Sequence, residues 1–360
     1  MQEVYWAFVQ LRHSGTWHRR RVSWTCMHTR FHLEETVEPS PVSTGHLPSS
    51  DRVQAWVDEA FERYRYVEEG STADYIPALS RARRELFGLC LVSVGGAIST
   101  AGDCCHEFSI QSVAKPFVFA LVCQALGGEE ARRKIGVNST GMPFSSVMAI
   151  ELNERRTMNP MVNAGAIATV SLAPGASVEA KWEFLQDGLS RFAGRRLMVD
   201  QEIYESETRT NQRNRGIARL LESYGRVYCD PREATDLYTR ACSLSVTVKD
   251  LATMGATLAD GGVNPLTGER VIDAERCQRV LAVLATAGMY EQSGDWLYEV
   301  GLPGKSGVSG GMVTIAPGKG GLATFAPLID AAGNSIKGQL ATRFLSERLG
   351  LNLFASAADA

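Results

Sequence analysis

A serine and a lysine three residues apart form the first pattern in this sequence that could do chemistry. Ser112 and Lys115 lie in segment 108–117, at the predicted start of a helix, where residues three apart share one face. The S-x-x-K arrangement is typical of serine nucleophiles activated by an amine. That amine must lose its proton, and lowering a lysine pKa from ~10.4 to ~7.4 costs about 4 kcal/mol. Burial, a helix N-terminus and a nearby cation all favour the loss.

A second lysine motif comes late in the chain, within the glycine-rich segment 301–311. Lys305, Ser306 and Gly307 resemble the K-T-G element of S-x-x-K hydrolases, in which a basic residue on a strand faces the nucleophile. We therefore expect Lys305 to supply the second cation that lowers the pKa of Lys115. Either motif alone could arise by chance, on a solvated helix or hairpin. The ordered pair is stronger evidence for a shared site.

Polar side chains between the two motifs add candidate binding groups. Asn163 begins an otherwise apolar predicted helix, whereas Glu207 and Asn214 are seven residues apart, two turns if their stretch is helical. Each also has an ordinary interpretation, Asn163 as a helix cap and the other two as surface groups.

Histidine and cysteine usage narrows the chemistry. Five of the six histidines lie within the first 46 residues, leaving only His106 in the body, so a Ser-His-Asp triad or a histidine-rich metal site is disfavoured. The eight cysteines show no C-x-x-C pair and no metal-ligand spacing, as expected for buried thiols in a reducing compartment. We therefore expect a cytoplasmic hydrolase that needs no metal and transfers protons without imidazole.

Charge and apolar patterning exclude two classes of partner. The net charge is −3 and no basic run is long enough for a nucleic-acid footprint. The longest apolar runs, such as 117–126, are far shorter than the ~20 residues needed to span a bilayer. The sequence predicts neither a nucleic-acid partner nor a membrane partner.

The patterning predicts two parts of very different character. Residues 1–50 hold most of the histidines, keep no steady periodicity and are expected to be a poorly ordered extension outside the catalytic domain. Residues 51–355 are expected to form one α+β catalytic domain. One antiparallel sheet, built from about 51–108 and 295–355, would have terminal helices on one face and the helical part, about 109–294, on the other. The clearest predicted strands are 86–94, 311–316 and 321–325, and the clearest helices are 111–126, 178–192, 214–224, 249–259 and 274–287.

From about residue 75 to residue 353 the chain resembles the glutaminase family. The motif N-P-M-V-N-A-G-A-I at 159–167 is close to diagnostic, and further matches occur at 74–77, 242–243, 258–262, 268–271 and 288–290. Asp260 and Gly304 stand where many members have Asn and Ala. The resemblance implies a serine β-lactamase or penicillin-binding-protein-like fold, with the sheet and helical subdomain described above.

The resemblance also implies an activity and a set of site residues. The activity is hydrolysis of L-glutamine to L-glutamate and ammonia through a γ-glutamyl-serine intermediate, without a cofactor, in a homo-oligomer that is a dimer or a tetramer. Ser112 would be the nucleophile and Lys115 its activating partner, with Tyr290 or Tyr238 relaying the proton. The N–H groups of Ser112 and Val308 would form the oxyanion hole, and Lys305 and Ser306 would support the site. The residues implied to bind substrate are Tyr75, Asn163, Glu207, Asn214 and Tyr238.

Two alternatives stay open on the residues alone. Another S-x-x-K serine hydrolase, such as a β-lactamase, peptidase or esterase, would be favoured by a Ser-Asp-Asn middle motif, which the sequence lacks. A non-catalytic amino-acid sensor on the same scaffold is the other alternative. The presence of every proposed catalytic residue disfavours it.

Overall fold

The computed structural model describes residues 45–156 and 158–355, together with four short strands near the N-terminus. The chain divides into two compact units, Met1–Val42 and Ser43–Ala360. In the first unit, strand β1 (Ala7–Val9) pairs with β4 (Arg20–Val22) and β2 (Arg12–His13) pairs with β3 (Thr16–Trp17), both antiparallel. The rest of that unit, where a poorly ordered extension is expected, lies outside the described residues.

The second unit is built on a five-stranded antiparallel sheet. Its order is β6-β5-β11-β10-β9, so two strands that precede Ser112 pair with three strands from the C-terminal part. A separate two-stranded ladder joins β7 to β8. The prediction of one antiparallel sheet built from both ends of the domain is confirmed. The strands are β5 (Gly88–Ser93), β6 (Ile98–Gly102), β7 (Phe108–Ser109), β8 (Ser245–Val246), β9 (Gly304–Ser306), β10 (Gly311–Ala316) and β11 (Gly320–Phe325).

Thirteen helices lie among the described residues of the second unit, and eleven of them fall between Ser112 and Lys305 in sequence. Short 3-10 turns at Leu79–Arg81, Gln111–Val113 and Tyr290–Gln292 add to them. The helices are α1 (Ser50–Tyr64), α2 (Ala114–Leu126), α3 (Gly128–Ile135), α4 (Met148–Leu152), α5 (Asn163–Ser171), α6 (Val178–Ala193), α7 (Gln201–Thr210), α8 (Gln212–Ser223), α9 (Pro231–Cys242), α10 (Val248–Ala259), α11 (Ala274–Ala287), α12 (Ser293–Val300) and α13 (Ile336–Arg348).

Helices cover both faces of the sheet. One apolar core joins the sheet to α1 and α13, where Val57, Leu89 and Leu345 are fully buried, each contributing roughly 1.5–3 kcal/mol. Helix α10 packs on the other face, as part of the larger core. It approaches β11 closely because Gly321 has no side chain: a Cβ there would lie 2.3 Å from the backbone of Ala252.

Helix α2 is the buried helix that begins just after the nucleophile candidate. Every residue from Ala114 to Cys123 is buried, as expected of a helix that is apolar on all sides. The predicted helix 111–126 therefore exists, but its first residues form the 3-10 turn Gln111–Val113 rather than an α-helical turn. No helix among the described residues is both long enough and apolar enough to cross a membrane.

Candidate active site

The nucleophile candidate lies on a strained turn. Ser112 is the middle residue of the 3-10 turn and is buried, and the residue before it, Gln111, has φ +49°, in the left-handed region. A non-glycine residue held there costs of order 1–3 kcal/mol and persists only when its surroundings fix it. The Gln111 side chain supplies part of that fixation, since its Nε2 donates to Ser109 Oγ and to Glu207 Oε2, each at 3.3 Å.

Lys115, the second residue of α2, is buried and its amine meets two oxygen acceptors. Nζ donates to Asn163 Oδ1 at 2.8 Å and to the Met161 carbonyl at 3.3 Å. Burial lowers the pKa of Lys115 to about 8, although the nearby Cys242 and Glu207 oppose the shift. A neutral amine has two N–H donors for these two acceptors, which leaves its lone pair free to take a proton. This arrangement suits a general base near neutral pH.

Asn163 connects three candidate site residues. Its Oδ1 accepts from Lys115 and, at 3.2 Å, from the Tyr238 hydroxyl, while its Nδ2 donates to Asn214 Oδ1 at 2.9 Å. Asn163 begins α5, as predicted, but Val162 occupies the cap position and the side chain makes no capping bond. The interpretation of Asn163 as a simple helix cap is therefore wrong.

Glu207 and Asn214 are on two different helices. Glu207 lies on α7 and Asn214 on α8, and Asn211 separates the helices, so the two residues are not two turns apart on one helix. Glu207 is 7% exposed, which excludes its interpretation as a surface group. Burial raises the pKa of Glu207 to about 7, against the hydrogen bond from Gln111 and the charge of Lys115. A half-ionised buried carboxylate is well suited to meet a substrate ammonium.

Lys305, on β9, is a second buried amine. Its Nζ donates to the Ser306 carbonyl at 2.7 Å and lies 3.8 Å from the centroid of the Tyr290 ring. Burial lowers the pKa of Lys305 well below its usual range, and the positive charge of Lys115 lowers it further. Burial, not Lys305, is the main cause of the lowered pKa of Lys115. Burial favours the neutral form of both amines, so the expectation that Lys305 acts as the cation stays a prediction.

Tyr290 links the two lysine motifs. It has φ +58°, a second strained position, and its hydroxyl donates to the Ser306 carbonyl at 2.9 Å. Burial raises the pKa of Tyr290, and a hydrogen bond with the Ser112 side chain partly offsets that rise. Ser306 in turn donates from Oγ to the Gly333 carbonyl at 3.2 Å. The phenol therefore lies between the nucleophile candidate and the strand that carries Lys305.

The turn after β9 packs directly on the nucleophile turn. A Cβ added at Gly307 would lie 3.0 Å from the Ile110 carbonyl oxygen and 3.3 Å from Gln111 Cβ, so only glycine fits without displacement. Within the described part of the chain, the N–H groups of Ser112 and Val308 donate to no backbone or side-chain acceptor, although both residues are buried. Buried N–H groups without partners are candidate donors to a substrate oxyanion.

Tyr75 is the most exposed predicted site residue, at 52%. Its pKa is raised by partial burial first, and then by the proximity of Tyr290 and Glu207. These interactions place Tyr75 beside the site, facing both solvent and the buried groups. Across residues 45–156 and 158–355, no cluster of three His, Cys, Asp or Glu side chains could hold a metal ion.

Three contributors were not identified from the sequence. Gln111 bonds to Glu207 across 96 residues of sequence, a contact that only the folded chain reveals. The Phe144 ring packs 4.8 Å from the Tyr290 ring. Cys242, which we interpreted as a buried apolar thiol, is buried but also hydrogen-bonds with Tyr238 and lies near both lysines. Phe144 and Cys242 are of types common in protein cores and Gln111 is of a type common on surfaces, so no sequence signal set them apart.

The fold and the site together define a β-lactamase-like α+β protein with a buried serine–lysine pair. The Glutaminase family model matches residues 70–354. Glutaminase 2 of Yersinia pestis is 61% identical over 315 residues, covering 88% of this chain and 93% of that protein. The glutaminase of Colwellia psychrerythraea is 48% identical, covering 85% of this chain and 99% of its own length. The chain belongs to the glutaminase family.

Solved structures agree with this assignment. The probable glutaminase YbaS superposes with a TM-score of 0.85 at 42% identity, covering 86% of this chain and all of that one. The Bacillus subtilis glutaminase YbgJ, in covalent complex with 5-oxo-L-norleucine, gives a TM-score of 0.76 at 30% identity. The match covers 85% of this chain and 99% of that one. The resemblance drawn from the motifs is confirmed, and the alternative S-x-x-K hydrolases lose their support.

Proposed function

We propose that the chain hydrolyses L-glutamine to L-glutamate and ammonia through a γ-glutamyl ester on Ser112. The observation that carries this mechanism is the buried Lys115 amine, one helical turn after the serine, with a lowered pKa and two acceptors for its N–H groups. Family membership supports the reaction, because the relatives that match most of the chain are glutaminases.

In the first half-reaction, Ser112 Oγ attacks the side-chain amide carbon of glutamine and loses its proton towards Lys115. With a pKa of about 8, roughly one Lys115 amine in ten is neutral at pH 7. The tetrahedral oxyanion accepts from the N–H groups of Ser112 and Val308. The C–N bond then breaks, and the nitrogen leaves as ammonia with a proton relayed by Tyr290 or Tyr238.

Four residues hold the amino-acid end of glutamine. The Glu207 carboxylate pairs with the α-ammonium, while the amide N–H groups of Asn214 and Asn163 and the phenol of Tyr238 donate to the α-carboxylate. Tyr75 closes the open side. Support comes from the geometry, since Asn163 already bonds to both Asn214 and Tyr238.

In the second half-reaction, water takes the place of ammonia. Lys115 removes a proton from the water, whose oxygen attacks the ester carbon, and the Ser112–carbonyl bond breaks as Oγ regains a proton. The products are L-glutamate and the restored hydroxyl. Lys305 and Ser306 support the site by holding the Tyr290 hydroxyl through the Ser306 carbonyl.

The mechanism is tested by Ser112→Ala. We expect ammonia release from L-glutamine to fall by at least about 10³-fold, because no other nucleophile lies at that position. Calorimetry should still detect glutamine binding, which distinguishes lost chemistry from lost folding. Treatment with 6-diazo-5-oxo-L-norleucine should add one covalent group to the wild-type chain, mapped to Ser112 by peptide mass, and none to the variant. Unchanged turnover, or a label on another residue, would exclude Ser112 as nucleophile.

We also propose a homo-oligomeric, cytoplasmic protein, either a dimer or a tetramer. Support for self-association comes from apolar side chains exposed on and beside α4, where Met148 is 56% and Leu152 65% exposed. The location is supported by the buried free thiols Cys90, Cys123 and Cys277, which pack as apolar groups. Sedimentation equilibrium of wild type and of Leu152→Glu tests the assembly, and fractionation of cells tests the location.

A further inference from the structure

A cavity of about 510 Å³ lies among α7, α8 and the start of α9, outside the site described above. Its charged lining is dominated by arginine. The charged residues are Arg215, Arg219, Arg232 and Asp236. The aspartate is already engaged, since Arg240 pairs with it at 2.8 Å and the Tyr204 hydroxyl donates to it. A ligand entering this cavity would therefore meet an excess of positive charge.

Two of the arginines are available to a ligand. Within the described ranges, Arg232 makes no ion pair. Arg219 pairs with Glu222 at 2.8 Å, but both side chains are about half exposed, and exposed pairs of this kind contribute little. Arg219 can thus exchange this partner for a bound anion. Arg215 is partly committed, because it donates to the Thr208 carbonyl at 2.9 Å across the break between α7 and α8.

The cavity also holds polar atoms that lack partners. Asn211 lines it and is 7% exposed, and its Oδ1 has no hydrogen-bond partner among the described residues. The Oγ1 of Thr208, also in the lining, has none either. An unpaired buried acceptor is unfavourable, so a ligand that donates a hydrogen bond to Asn211 would remove a cost as well as add a contact.

We propose that this cavity binds a small organic oxyanion carrying a hydroxyl group. Arg219 and Arg232 would hold the oxyanion, and Asn211 with Thr208 would hold the hydroxyl. The volume is in the range of small-molecule sites rather than of single inorganic ions. The arginine fork matches carboxylate and phosphate equally, so a hydroxy-carboxylate and a phosphate ester share the required chemistry.

The position of the cavity gives binding a consequence for glutamine. Thr208 follows Glu207 on α7, and Asn211, at the junction between α7 and α8, is three residues before Asn214. Asn211 Nδ2 donates to Thr239 Oγ1 at 3.2 Å, next to Tyr238 on α9. A ligand that fixes this junction changes the KM for glutamine. This consequence rests on the proposed function, whereas binding itself does not.

Calorimetric titration of the full chain tests the binding. Citrate and glycerol 3-phosphate serve as probes at constant ionic strength, and the tighter of the two identifies the source of the oxyanion. We expect Arg219→Gln/Arg232→Gln to weaken that probe at least about tenfold. Arg209→Gln is the matched control, because Arg209 is exposed on α7 and outside the cavity lining, and it should change binding less than twofold. Tricarballylate, which is citrate without its hydroxyl, should bind less tightly than citrate.

Several results would overturn the site: no saturable heat with either probe at millimolar concentration, equal loss in Arg209→Gln, or displacement of the probe by L-glutamine. A changed sedimentation mass in the double variant with unchanged probe binding would instead assign the arginines to an interface between copies. If the double variant fails to fold, Arg232→Gln alone repeats the test.

The bound probe should shift the glutamine KM of wild type and of Arg209→Gln, and not of the double variant. Binding with no KM shift anywhere supports the site and overturns the coupling.

Discussion

Two lysines of this chain are buried to the same extent and have very different surroundings. Lys115 on α2 is 3% exposed and Lys337 on α13 is 2% exposed. Burial lowers the pKa of both. The Lys337 amine donates to the Arg65 carbonyl at 2.9 Å, whereas the Lys115 amine donates to Asn163 Oδ1 and a carbonyl. Burial alone therefore does not distinguish a catalytic amine from a structural one.

The difference lies in the charges and strain around each amine. Three carboxylates, Glu68, Asp103 and Glu85, favour the protonated form of Lys337. Lys115 has one nearby carboxylate, Glu207, whose own pKa is raised to about 7, and the neighbouring turn carries a left-handed non-glycine residue. The surroundings therefore favour protonated Lys337 more strongly than protonated Lys115. The strained residue Gln111 and the buried amine of Lys115 both reduce the stability of the fold. Features that reduce stability and still persist indicate a functional site.

The largest expected effect separates these two amines by activity. Lys115→Met should lower kcat about 10²–10⁴-fold, the usual contribution of a general base, since no other described amine contacts Asn163. Lys337→Met, the matched control, should leave kcat and KM for glutamine within about twofold for the folded fraction. Ammonia release measured on both variants at one pH provides the comparison. Equal losses of kcat in the two variants would mean that burial, and not the local hydrogen-bond partners, determines whether a lysine contributes to catalysis.

Sequence reasoning succeeded here wherever the signal was local. Strand 311–316 and helix 274–287 have the predicted bounds, because each is a continuous periodic segment with glycine or a cap at its end. Ser112 and Lys115 were identified from their own spacing. The break between α7 and α8 was not predicted: Asn211 ends α7 and separates it from α8, where the polar composition gives no turn signal.

The parts that escaped sequence analysis depend on contacts between distant segments. The pKa of Lys115 depends on the packing around α2, and the bond from Gln111 to Glu207 depends on how α7 packs. The role of Lys305 was assigned from motif order, which cannot say which of two buried amines keeps its proton. That answer depends on the solvation of each amine in the folded chain.

The second expected effect is on the pH dependence of glutamine turnover. Lys115 must be neutral to act as a base, and with a pKa of about 8 this form is lost as pH falls. Glu207 must be ionised to hold the α-ammonium, and with a pKa of about 7 that form is also lost as pH falls. A plot of log kcat/KM should therefore level off above about pH 8, and its slope should steepen below about pH 7.

Glu207→Gln isolates the lower limb of that profile. The variant should raise KM for glutamine by roughly 10–100-fold, the loss expected for a charge-assisted hydrogen bond, and its profile should keep the limb near pH 8 alone. Glu205→Gln, an exposed carboxylate on the same helix, is the control and should reproduce the wild-type profile. If the steep limb near pH 7 survives in Glu207→Gln, that limb must come from the titration of a group other than Glu207.

The smallest expected effect is on stability, where the order of the two lysines should reverse. Lys337→Met leaves the Arg65 carbonyl without its donor in a partly buried setting, so the free energy of unfolding should fall by about 1–2 kcal/mol. Lys115→Met removes a buried amine held at a cost. The Met161 carbonyl loses only a long 3.3 Å bond and Tyr238 remains to donate to Asn163, so the stability of this variant should match or exceed that of wild type within about 1 kcal/mol. Urea unfolding followed by circular dichroism at fixed protein concentration measures both. If Lys115→Met lost as much stability as Lys337→Met, the amine would have to be regarded as part of the structural core, and its lowered pKa would not indicate a catalytic role.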